Sequence, residues 1–213
     1  MSTRGHQHRA RKIAVVLALG AVVAGVDIGR AGIADFLRLE PCAYLDFVRA
    51  TARRPDPAAL GRARDRLELA KRIDSGNPVI HEYLAVVYVH RARLVASDIT
   101  LHIAYLERAD TDYARALALR PNSAYLWAGV AAVRAALLGA RTGRGDAAIE
   151  LAHQRMGLQQ AMRRAFQLAG YEPAVLASLS EIGAKMRPHL DDDVMRDVDE
   201  MARRLRIVSA PSG

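Results

Sequence analysis

Three consecutive carboxylates, Asp191, Asp192 and Asp193, are the densest run of reactive side chains in the sequence. Such a run could gather a divalent cation, because hard cations take several carboxylate oxygens. Separated carboxylates such as Glu82 and Glu172 could act on a glycosidic bond as an acid–base pair if folding brought them together. The spacing favours a plainer reading. Asp191 to Asp193 stand where a closing helix begins after Pro188, and carboxylates there complement the unpaired N–H groups of a helix N-terminus. Glu82 directly follows His81, and adjacent helical residues point in different directions. His90, His102 and His153 stand singly on helical stretches. No His-Glu-x-x-His, paired cysteines or Gly-x-Ser-x-Gly turn occurs. The segment GARTGRGD, residues 139–146, lacks the Gly-Lys-Ser/Thr of a phosphate-cradling loop. Cys42 is alone, which excludes an intrachain disulfide and fits a packing role. We therefore expect a non-enzyme without catalytic residues, metal or cofactor. A carbohydrate-acting enzyme using Asp191 to Asp193, or Glu82 and Glu172, is the remote alternative.

Composition narrows what elements could position any site. The 213 residues are 51% hydrophobic but only 5% aromatic, so the apolar mass is mostly Ala, Leu and Val. Such a chain favours helices packed through small contacts. The net charge is +8, of which Arg4, Arg9, Arg11 and Lys12 supply +4, leaving 8 − 4 = +4 for the rest. There Arg alternates with Asp and Glu, as in RARDRLELAKRID from Arg62 to Asp74. That is the pattern of a solvated helix face, so no nucleic-acid partner is expected.

The N-terminus reads as a membrane device. Residues 1–12 form a basic tail expected to be disordered and cytoplasmic. Residues 13–28 open with the uncharged run IAVVLALGAVVAGV, Ile13 to Val26. Fourteen helical residues span about 21 Å, short of the roughly 30 Å hydrocarbon core. Arg11 and Lys12 can snorkel, and a locally thinned bilayer absorbs mismatch. The run is either an uncleaved single-pass anchor, which we favour, or a signal peptide cut near Val22-Val23-Ala24. Either places the rest of the chain in the periplasm, because the positive flank stays in the cytoplasm. A buried helix of a cytosolic protein is the third possibility. Residues 29–42 read as a connector, residues 43–207 as the main domain and residues 208–213 as a tail.

Within 43–207 helices alternate with strong punctuation. Ala43 to Arg54 is a short helix stopped by Pro55-Asp56-Pro57, and Pro57 suits the first turn of the next, which runs to Ile73. Ser75-Gly76-Asn77-Pro78 stops and restarts the chain. Ser97-Asp98 and Asn122-Ser123 supply caps for later helices. Ile99, Leu106, Ala109, Tyr113 and Ala116 form one apolar stripe. Residues 139–145 read as a flexible loop, Asp146 as the cap of a long helix with Gly157 as a candidate break, and Pro173 as the start of a helix running to Met186. A charged closing helix ends near Arg206.

The stretch ADTDYARALALRPNSAYLW, Ala109 to Trp127, resembles the second helix of a tetratricopeptide repeat, its turn, and the first helix of the next. Ala109, Tyr113 and Ala116 fall at its small, aromatic and small positions, Pro121 at its terminal proline, and Trp127 at the tryptophan opening the next unit. Ala63, Leu67 and Ala70 repeat the 0, +4, +7 spacing. Leu84, Ala85 and Tyr88 occupy the large, small and aromatic positions of a first helix, with His81 in place of the tryptophan. Ala165 matches Ala116, Gly170 replaces Pro121, and Arg134 stands where an aromatic is usual. Helix starts at Pro78, Ala124 and Pro173 lie roughly 46 and 49 residues apart, against about 34 in the standard repeat. The expected fold is thus all-α, an irregular tetratricopeptide-like helical repeat, or α-solenoid, behind an N-terminal membrane-anchor helix.

Taken together, the anchor, RALALRPNSAYLWAGVAAVRAALLG from Arg115 to Gly139, RRAFQLAGYEPAV from Arg163 to Val175 and the closing Ile182-Gly183 resemble the VpsP-like family. These are bacterial membrane-anchored tetratricopeptide proteins of exopolysaccharide biosynthesis. That family more often has Trp where Tyr171 stands. The resemblance implies a non-catalytic scaffold for surface polysaccharide assembly or export on the inner membrane. An assembly factor for a pilus or secretion system is the alternative. Repeat proteins of this kind line their concave face with the first helix of each pair. Here that face would offer Glu82, Asn122 and Tyr125 to a protein or glycan partner, over a floor of Val79, Val86, Ala128 and Ala132.

Overall fold

The structure, a computed structural model, describes residues 3–170 and 172–208, with side chains described for residues 25, 26, 28–170 and 172–206. Among the described residues all regular secondary structure is helical. Its helices are α1 (Thr3–Thr51), α2 (Pro57–Ile73), α3 (Pro78–Leu94), α4 (Ile99–Leu119), α5 (Ala124–Arg144), α6 (Ala148–Ala169), α7 (Pro173–Met186) and α8 (Asp192–Val208). A short 3-10 turn, Arg187–His189, stands where Pro188 interrupts the chain.

The helix starts follow from capping chemistry. Asp56 accepts hydrogen bonds from the N–H groups of Ala58 and Ala59, Asn77 from Val79, Asp98 from Leu101 and Ser123 from Leu126. Each cap satisfies donors that the first turn leaves unpaired. Pro57, Pro78 and Pro173 each occupy a first turn, where no N–H is needed. Short connections force neighbouring helices to pack on one another. Accordingly α1 packs on α2, α3 on α4, α5 on α6 and α7 on α8, and each such pair also touches the next.

The core runs along these seams and is built from small and branched aliphatics. Ala63, Leu67 and Ala70 of α2, Leu84, Ala85 and Tyr88 of α3, and Ala109, Tyr113 and Ala116 of α4 are all buried. Ala165 of α6 is fully buried too. Ile99, placed on the α4 stripe from sequence, is instead exposed, because it lies in the first turn, beyond the reach of the neighbouring helices.

Three segments depart from the sequence reading. Residues 29–42 are not a connector: α1 continues through Pro41 to Thr51. A proline inside a helix forfeits one hydrogen bond. Here it sits in a packed stripe with Ala34, Cys42, Leu45 and Val48 against the domain, and that burial outweighs the loss. Residues 139–145 are not a loop. The helix α5 extends to Arg144, since Thr142 Oγ1 bonds the Leu138 carbonyl, Arg141 reaches Glu107 and Glu150, and Gly145 closes the helix at φ 81°. Nor does α6 break at Gly157, or start on Asp146. Its N-cap is Ala147, which makes no side-chain bond, and the Asp146 carboxylate is held by Arg144.

Among the described residues no helix is long and apolar enough to cross a membrane. The backbone of residues 3–12, expected to be disordered, belongs to α1, while the side chains of residues 1–24, which carry most of the anchor expectation, lie outside the described residues, as do Tyr171 and the end of the chain.

Candidate functional site

A groove of about 520 Å³ opens between α1, α3, α5 and α7, with α4 beneath it. Its floor is built from Val86, Leu106, Tyr113, Ala128, Ala132 and Val175. Small side chains on α5 hold the space open, while the buried Tyr113 ring fills its depth. Gly129 makes that packing possible: a Cβ there would stand 2.7 Å from the Tyr113 ring. Burial in this floor pushes the Tyr113 hydroxyl well above the usual phenol range.

The rim is basic and aromatic. Arg49 lies over the Tyr125 ring, 5.4 Å from its centroid, and also approaches Asp46 at 3.7 Å. Arg53 and Arg93 stand on the same opening. Between them is His90, whose pKa is lowered by burial and then by the charges of Arg93 and Arg49. Burial likewise raises the Tyr125 hydroxyl, with Arg49 opposing it. The arrangement suits contact with a partner that brings apolar side chains and negative charge: apolar surface below, cations and a half-exposed tyrosine above.

The residues anticipated from sequence are distributed around this opening. Tyr125, Val86, Ala128 and Ala132 line the groove itself. Asn122 lies in an adjoining shallow recess that it shares with Tyr125, Glu172 and Pro173. Glu82 lies within electrostatic reach of Arg49 and Tyr125, but its carboxylate is taken by Arg120 at 2.6 Å. Burial raises the Glu82 pKa and Arg120 partly restores it. Val79 does not line the groove. Sequence reasoning missed Arg49, Arg53, His90 and Arg93. The signal was present, since applying the first-helix rule to the segment before Pro55 would have brought in Arg49 and Arg53.

Of the carboxylates considered for catalysis, Asp191 and Asp193 are engaged separately. Asp191 pairs with Arg155 and Asp193 with Arg163, tying the start of α8 to α6. Among the described residues no three His, Cys, Asp or Glu side chains converge as metal ligands do. Cys42 is free and buried, and burial pushes its thiol up to about 11.

A second polar constellation was not visible from spacing. Asp112 of α4, only 5% exposed, accepts a hydrogen bond from Lys71 Nζ of α2 at 2.9 Å and faces His81 Nδ1 of α3 at 3.1 Å. His81 Nε2 meets the Ser75 carbonyl at 3.0 Å. Three helices are thereby joined through one buried carboxylate. Trp127, three residues into α5 as His81 is into α3, donates its indole N–H to the Pro121 carbonyl at 2.9 Å. In both places the ring nitrogen reaches a carbonyl six residues back.

Fold and groove define a class: an all-helical protein whose helices pack in consecutive pairs around an apolar, basic-rimmed groove. No protein-family model and no curated protein matches the chain.

Proposed function

We propose that this chain is a membrane-anchored, tetratricopeptide-like scaffold that holds components of a surface-polysaccharide assembly or export machine through its groove. One observation carries the reading: the groove opens between α1, α3, α5 and α7, the first helix of each consecutive pair, with α4 contributing only to its floor and edge. That is the face by which stacked helix pairs hold partners. The matched bonds of His81 to Ser75 and of Trp127 to Pro121 support the repeat register, because they place a histidine and a tryptophan in one structural role. The apolar run Ile13 to Val26 supports anchoring in the inner membrane, with the helical domain in the periplasm. Polysaccharide as the cargo of the machine rests on the resemblance to the VpsP-like family.

The test is a photo-crosslinking residue at position 125 in the full-length protein, with capture from intact cells. A polysaccharide polymerase, glycosyltransferase or export component recovered at Tyr125, and not from a position on the opposite face such as Leu69, supports the scaffold. Pilus or secretion subunits replace the polysaccharide reading with an assembly-factor role. A deletion strain with unchanged surface glycan counts against the reading altogether.

A further inference from the structure

The outward face of α1 is apolar and uncovered. Val26, Ile28, Ile33, Phe36, Leu39 and Phe47 are 52–74% exposed. They stand opposite the stripe of Ala34, Cys42, Leu45 and Val48 that docks the helix on the domain. The exposed side follows a seven-residue repeat. Val26, Ile33, Glu40 and Phe47 fall at one position of the repeat, and Gly29, Phe36, Ala43 and Ala50 at the position three further on. All eight are exposed. A repeat of this spacing is what two supercoiled helices bury between them. Nothing lies within 4 Å of where Cβ atoms would be at Gly25, Gly29 and Gly32, so a second helix can approach closely there.

We propose that this face pairs with the same face of a second copy of the chain, α1 against α1 about a two-fold axis. The area fits. Val26, Ile33, Phe36 and Phe47 lie on the seam and Ile28 and Leu39 flank it; together the six present roughly 600 Å², the upper end of what a monomer leaves uncovered and near the ~800 Å² each partner contributes to a stable interface. The charges fit as well. A helix lying on a bilayer surface carries free Lys and Arg along its polar flanks. Here Arg30 donates to the Ile73 carbonyl at 3.0 Å and Arg38 pairs with Asp35 at 2.7 Å, so both basic groups of this stretch are already engaged by the protein. Among the described residues the repeat positions carry one charge, Glu40, which is held by Arg66, and Arg53 lies over the Phe47 ring at the end of the seam, 5.7 Å from its centroid. Depletion of charge at the centre is what a protein interface shows. Ile33, Phe36, Leu39 and Phe47 lie beyond the proposed anchor of residues 13–28, so pairing through them does not depend on the proposed function.

The experiment is sedimentation equilibrium of the full-length protein in detergent, with Ile33→Asp/Phe36→Asp as the interface variant. Both side chains are exposed, and unchanged far-ultraviolet circular dichroism would show that the variant is folded. A wild-type dimer at micromolar concentration is expected, with its dissociation constant raised at least 100-fold in the variant. Phe36→Cys should form an intermolecular disulfide under mild oxidation, while wild type, whose one cysteine is buried, should not. A wild-type monomer at tens of micromolar overturns the proposal, and so does a dimer indifferent to the variant. A monomer that adsorbs to phosphatidylglycerol vesicles through Ile33 and Phe36 also overturns it and gives the face to a bilayer.

Discussion

His81 and Trp127 perform one task with different chemistry. Each stands three residues into a helix and closes the preceding turn by bonding a carbonyl six residues back. The imidazole has a second nitrogen, which faces Asp112, and Asp112 also accepts from Lys71, so the first joint fastens α2, α3 and α4 through a buried carboxylate. The indole has one N–H and spends it on the turn. In the second joint the linkage has moved along α5 to Arg134, which bonds Asp110 of α4 at 3.0 Å and the Gly157 carbonyl of α6 at 3.0 Å. The turn geometry is therefore common to both joints, and the means of tying three helices together is not. Buried charge makes the first joint sensitive to the loss of any member, while the second relies on close packing and a half-exposed arginine.

Asp112→Ala should have the largest effect. It leaves Nδ1 of the 3% exposed His81 without its partner and Lys71 without its carboxylate, and should cost about 3 kcal/mol in urea unfolding. Gly129→Ala tests the packed joint. The added methyl would meet the Tyr113 ring at 2.7 Å, so about 2 kcal/mol should be lost and the groove floor displaced, read by Tyr113 ring NMR shifts. Trp127→Phe removes the bond to Pro121 and a little of the ring's packing, and should cost about 1 kcal/mol. If it costs as much as Asp112→Ala, the contrast between the joints fails. The smallest effect concerns His90 in the groove, which sharpens the contrast by adding a histidine held near arginines instead of a carboxylate. Its folded pKa lies below the ordinary 6.5, so its contribution is fully present above that value and is lost as pH falls through the folded pKa. Thermal melts should show an acid-side loss of stability below about pH 6.5 that is smaller in His90→Gln.

What was legible in the chain was local. Proline at a first turn and a polar residue before it announce α2 and α3 because capping involves residues two or three apart. The buried spacing of Ala109, Tyr113 and Ala116 was equally readable, since one helix face repeats within two turns. The errors came where a local breaker was overruled from a distance. Pro41 remains helical because α1 is packed along its length, and Gly139 and Gly143 remain helical because Arg141, two residues before Gly143, is gripped by glutamates of α4 and α6. The joining of His81 to Asp112 spans 31 residues, and no periodicity within either helix marks it. The groove was half legible. Its α3 and α5 residues follow from the register, but part of its basic edge, Arg49 and Arg53, comes from the end of α1 and the turn after it, a segment whose pattern announces itself only from Ala43 onward.

The continuity of α1 makes it a lever with a fixed phase. From Val26 to Thr51 the helix advances about 38 Å, and each residue turns it by about 100°. Whatever grips its N-terminal end therefore sets both the height and the compass bearing of the groove. One residue inserted near Gly32 would raise the domain by only about 1.5 Å yet swing the groove more than a quarter turn. Two inserted residues would point it nearly backwards, and four would bring it close to its original heading.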